Sequence, residues 1–123
     1  MVKESIVSKG LTIAKKMGID FAPQSCHTLK IIYRDDIDTL ARAYTFYMMD
    51  GVTRSYVELK PQILALSNRE ITYVLVHELS HIKVGVDHDH DQVFAKAMVE
   101  GLVIAKVGSI SEIEKENIER LNF

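Results

Sequence analysis

The sequence predicts an α+β domain, and three observations predict it. A helix-period segment opens the chain, a β-branched and aromatic middle third carries an Asp-Gly turn, and helical periodicity returns after Pro61. At 123 residues the chain is long enough for one modest core, so residues 1–123 read as a single domain.

Each element has its own local cause. Over residues 3–18, Ile6, Val7, Ile13, Ala14 and Met17 fall near one helix face, and Gly18 ends it. "TLKIIYR", residues 28–34, is short and β-branched and reads as a strand; "LARAYTFYMM", residues 40–49, reads as a second. Asp50-Gly51 marks the turn, and "SYVELK" returns as a third strand, so a three-stranded antiparallel meander is expected. Ser67 or Asn68 can then cap a helix through "REITYVLVHELSHIKV". Ile71, Val74, Leu75, Leu79 and Ile82 form its apolar stripe, and Gly85 stops it. A further helix is expected from about Asp91, with Phe94, Ala95, Met98, Leu102 and Ala105 on one side. "SEIEKENIERL" fits a last short helix with a Ser111–Glu114 capping box.

Composition narrows the function classes. The hydrophobic fraction of 47% and charged fraction of 26% are those of an ordinary folded domain. A net charge of −2 gives no basic surplus for a nucleic-acid surface. The single cysteine, Cys26, rules out an internal disulfide framework and a cysteine-built zinc ribbon. The polar, lysine-bearing opening lacks a signal-peptide pattern, and no apolar run reaches membrane-spanning length, so a cytoplasmic protein without a membrane partner is expected.

Four of the five histidines lie in "VHELSHIKVGVDHDHDQVF", residues 76–94. His77 and His81 stand four apart, so on a helix they project from one face, one turn apart. Two imidazole nitrogens can then reach one ion at about 2 Å, the usual zinc–nitrogen distance. Glu78 points to the side, where its carboxylate can take a proton from a water at that ion. This is the HExxH arrangement, whose chemistry is hydrolysis: zinc (Zn2+) activates water and polarises a carbonyl, and the carboxylate moves the proton. Two ligands do not complete a catalytic site. His88, three residues past Gly85, His90, four residues before Phe94, and Glu100, nineteen residues after His81, are the candidates for a third. Asp87, Asp89 and Asp91 can accept the outer ring N–H of ligating histidines, and Asp91 is also placed to cap the following helix.

"HELSH…HDHDQVF" resembles the SprT-like (Spartan-type) zinc metallopeptidases, whose pattern is HExxH, a variable loop, then a third histidine followed four residues later by an aromatic residue. The resemblance implies a zincin-like fold with an N-terminal helix, small sheet, active-site helix and one or two C-terminal helices. It implies His77, His81 and His90 as metal ligands, with His88 the alternative third, Glu78 as catalytic carboxylate and Phe94 as packing anchor. The implied activity is zinc-dependent hydrolysis of a peptide or protein substrate, with "SYVELK" as a groove edge and Tyr44, Tyr56 or Tyr73 as possible hydrogen-bond donors. Spartan-type proteins generally carry DNA-binding attachments; this chain shows none, which gives no basis for a nucleic-acid partner. "HELSHIKVGVDH" also resembles the YbeY-like ribonucleases, a reading that makes His88 the ligand. It has one residue too many before the glycine, and the Glu78 carboxylate has no place in that pattern. A third reading has a metal that only staples the domain, or a binding module without turnover.

Overall fold

A computed structural model describes residues 2–21, 23–85 and 90–105. Its elements run α1 (Val2–Lys16), β1 (His27–Tyr33), β2 (Ala41–Tyr47), β3 (Thr53–Leu59), α2 (Asn68–Val84) and α3 (Gln92–Ile104). Short 3-10 turns lie at Pro23–Ser25 and Pro61–Ala65. The α+β class is as expected. The predicted helix over "SEIEKENIERL" lies outside the described residues.

Local signals act where they were read. Past α1, the Ile19 N–H reaches the Ala14 carbonyl at 3.1 Å and the Gly18 N–H reaches Lys15 at 3.1 Å. Gly18 takes φ +88°, so the helix ends in a Schellman turn that seals its last carbonyls. Ser67 caps α2: its hydroxyl accepts from the Glu70 N–H at 3.2 Å, and the Glu70 carboxylate accepts from the Ser67 N–H at 3.4 Å. At the other end Gly85 stands at φ +85°, a conformation that a Cβ would strain.

The sheet departs from the antiparallel meander. Its order is β1-β3-β2, with β3 antiparallel to β2 but parallel to β1. The Asp50-Gly51 turn does join β2 to β3 as a hairpin, with the Met48 N–H bonded to the Val52 carbonyl at 3.1 Å. The difference lies in β1. Ser55, Val57, Glu58 and Leu59 of β3 are all buried, the richest burial of any strand, and a strand with that much to hide takes the centre. The seven-residue connection 34–40 therefore steps over β3 between the two edges, about 10 Å at ordinary strand spacing. As a consequence β3, which carries "SYVELK", has no free side; among the described residues β2 is an edge strand in its place.

The helices cover one face of this sheet. α1 packs on β1, α2 chiefly on β2, and α3 against α2. α2 is buried continuously from Ile71 to Ser80, well beyond the predicted stripe, because α1, the sheet and α3 enclose it from three sides. On α3, Phe94, Ala97, Met98, Gly101 and Leu102 are buried, whereas Ala95 faces solvent. Gly101 makes the α2–α3 approach possible: a Cβ there would lie 2.7 Å from Cγ1 of Val76 and 2.9 Å from Cε of Met17.

Candidate metal centre

The second half of α2 carries the first two histidines. His77 and His81 sit one turn apart, ring centroids 5.0 Å from each other, on the side that meets the start of α3. Asp91 begins α3 as its N-cap, accepting from the Phe94 N–H at 3.0 Å. One residue earlier, His90 takes φ +53°, a left-handed backbone that turns its ring back over α2. Its Nε2 lies 3.3 Å from Nε2 of His77 and 3.1 Å from Nε2 of His81.

Three nitrogens so close cannot all be satisfied by protons. His90 Nε2 carries either one hydrogen or one lone pair, so it cannot make a well-aligned hydrogen bond to both neighbours at once. A cation serves all three at once. Ligand atoms about 2 Å from a tetrahedral zinc are separated by about 3.3 Å, the edge of that tetrahedron. The observed spacings match, and the ligating atoms of His77, His81 and His90 all lie within 4.8 Å of one another. This three-histidine group can hold a metal ion. Phe94, nearly fully buried, packs under it with ring centroids 5.1, 4.4 and 4.9 Å from His77, His81 and His90.

The surroundings set the protonation of the site. Burial lowers the pKa of His77 from 6.5 to about 3, and the nearby His81 and His90 charges push the same way. The imidazole is thus held neutral, the form that binds metal. Glu78, 3% exposed, has its pKa raised by burial to about 8. A carboxyl poised near neutrality is one that can both accept and return a proton.

The other sequence candidates fall elsewhere. His88, Asp87 and Asp89 lie outside the described residues. Glu100 is exposed on α3 and is not part of the three-histidine group. Asp91 serves as the helix cap. Tyr73 is buried in the core, while the Tyr44 hydroxyl donates to Glu58 at 2.8 Å on the outer face of the sheet, where Tyr56 stacks on it. The fifth histidine, His27, belongs to a separate network, its Nε2 2.8 Å from Oγ of Ser55 and its Nδ1 2.9 Å from the Asp20 carbonyl. Sequence reasoning missed Glu58, a fully buried carboxylate bonded by Arg42, Arg34 and Tyr44. The hairpin register, which sets Arg42 opposite Glu58, was the signal for it.

No family model and no curated protein matches the chain. Among solved structures, it is similar to the crystal structure of the metallopeptidase zymogen of Pyrococcus abyssi abylysin. The TM-score is 0.58 at 20% identity, covering 100% of each chain. At that identity the likeness is one of fold, and it extends over every element that positions the three histidines.

Proposed function

We propose that this chain is a zinc-dependent peptidase in which His77, His81 and His90 hold the ion and Glu78 is the general base. The motif that runs from "HELSH" to "HDHDQVF" supports the SprT-like branch. One observation carries the reading: Nε2 of His90 stands 3.3 and 3.1 Å from those of His77 and His81, in a fold shared with a metallopeptidase zymogen. When bound, zinc supplies Lewis acidity, lowering the pKa of water and polarising a peptide carbonyl.

The chain's own residues do the rest. Glu78 takes a proton from the attacking water and hands it to the departing amine. Phe94 fixes the three rings by packing, so little reorganisation remains at the moment of reaction. β2 offers the edge along which an extended peptide or protein segment can hydrogen-bond through its backbone.

The deciding experiment is Glu78→Gln, assayed for metal content and for peptide hydrolysis. The proposal expects metal content near one per chain in both proteins and hydrolysis lowered by two or more orders of magnitude in the variant. Hydrolysis unchanged in Glu78→Gln removes the assigned base. Bound metal with no hydrolysis in the wild type favours an ion that only staples the fold.

A further inference from the structure

Phe46, Tyr47, Met48 and Met49 are consecutive, large and exposed, at 53%, 70%, 44% and 106% of their full surface. Runs of this kind on a folded domain mark a place where something docks. They occupy the end of β2 and the hairpin beyond it. Phe46 also closes an aromatic cluster on the outer face of the sheet: its ring lies 5.1 Å from Tyr44 and 6.2 Å from Tyr56, and Tyr44 stacks on Tyr56 at 5.2 Å.

Two structural facts identify what fits there. First, β2 has a described strand on one side only, so its other edge presents backbone donors and acceptors spaced for an extended chain. Second, α2 packs on β2, and the order of the elements directs its histidine-bearing half toward this end of the strand. A Cβ placed on Gly10 would meet both Ile31 and Leu75, and Ile31 is level with Val57 and Ala43 across the sheet, so Leu75 lies about level with the middle of β2. Only eight residues lie between the end of β3 and the start of α2, a connection short enough to send α2 back along the sheet. His77 and His81, beyond Leu75, thus approach the Thr45–Tyr47 end.

We propose that Tyr44, Phe46 and the Met48–Met49 tip form a specificity platform for an extended polypeptide bearing two large apolar side chains spaced two residues apart. The proposal rests on the peptidase reading for its site and names the substrate class. A strand added to β2 places every second side chain on the outer face, about 5 Å from Tyr44 and Phe46 in Cβ spacing. An anionic lipid surface fits less well. Asp50 sits in the turn, and Arg54 beside it is paired with it at 3.4 Å, which offsets positive charge at the tip among the described residues.

The test measures binding separately from turnover, on Glu78→Gln protein. Fluorescence anisotropy compares a peptide carrying Leu-x-Leu with one carrying Ser-x-Ser, against Phe46→Ser and Met49→Ser. The proposal expects Phe46→Ser to weaken the Leu-x-Leu peptide about tenfold, the worth of one buried large side chain, and Met49→Ser to weaken it measurably. The Ser-x-Ser peptide should bind wild type weakly and lose no more in either variant, whereas a merely structural defect would weaken both peptides. Equal affinity of wild type and Phe46→Ser for Leu-x-Leu, with peptides still cleaved by the Glu78 protein, overturns the platform and leaves the peptidase standing. Loss of Leu-x-Leu binding in Phe46→Ser, with no peptide cleaved by the Glu78 protein, keeps the platform and removes the peptidase. Unchanged peptide affinity also overturns the platform if Phe46→Ser instead dissolves a dimer in sedimentation, or releases the protein from phosphatidylcholine–phosphatidylglycerol vesicles.

Discussion

His90 lies nine positions and a change of helix beyond His81, yet their Nε2 atoms are 3.1 Å apart. The contact depends on the left-handed backbone of His90, φ +53°, which asparagine and glycine adopt more readily than alanine. Replacing His90 with Asn should therefore remove an imidazole while leaving the turn intact. Zinc affinity, read by chelator competition, should fall by about 100-fold or more, since even outer-shell changes cost 10–100-fold. The metal-free protein should melt close to wild type.

Metal-free protein should be most stable between about pH 4.5 and 6.5. Burial depresses His77 from 6.5 to about 3, so the unfolded chain binds the proton more readily, and stability falls as pH drops below 6.5. On Glu58, burial pushes upward, but hydrogen bonds from Tyr44 and Arg42 and the charges of Arg42 and Arg34 win. Its pKa stays below the ordinary 4.5, and its contribution is lost on acidification. Glu78 acts oppositely: raised from 4.5 to about 8, it favours the folded state at low pH and loses that advantage as pH climbs through 8. Urea unfolding across pH should show a maximum with losses on both sides. A steady rise from pH 5 to 8 would show that Glu78 is not held protonated.

Gly101→Ala sets helix propensity against packing. Alanine gains about 1 kcal/mol over glycine in a helix interior. Its Cβ would stand 2.7 Å from Val76, a fully buried β-branched neighbour with no slack, while Met17 can give way. Overpacking of this sort costs about 1–3 kcal/mol, so a net loss of about 1 kcal/mol is expected in denaturant unfolding. A gain would mean that α3 can move off α2 freely.

Glu58→Ala leaves Tyr44 without its acceptor and Arg42 without its bonded counter-charge, while Arg34 keeps Asp36 at 2.7 Å. Both arginines are about half exposed, which limits the ionic part. The expected cost is about 1–3 kcal/mol, mostly from the lost buried hydrogen bonds and the cavity. It should appear in thermal melts with zinc stoichiometry unchanged.

What was legible in the sequence was whatever neighbours in the chain decide. Ser67 and Glu70 fix where α2 begins, Gly85 where it ends, and the four-residue step of His77 and His81 puts two imidazoles on one face. His90 was one of three candidates from the residues alone, because the φ that turns its ring inward is set by the packing of α3 on α2. Strand order was illegible for a related reason. Asp50-Gly51 joins β2 to β3 locally, but the place of β1 depends on which strand has most to bury, a competition decided across the whole sheet. The continuous burial of Ile71 to Ser80 likewise reflects three covering elements that no periodicity in α2 records. The outer-face aromatics were visible as β-formers, without any sign that they would gather beside an open edge.

The most direct measurement is zinc K-edge X-ray absorption on protein loaded with one equivalent of zinc. Three imidazole nitrogens and one light oxygen at about 2.0 Å are expected around the ion. Fewer than three imidazoles, or zinc retained with the same spectrum in His90→Asn, would contradict the assignment.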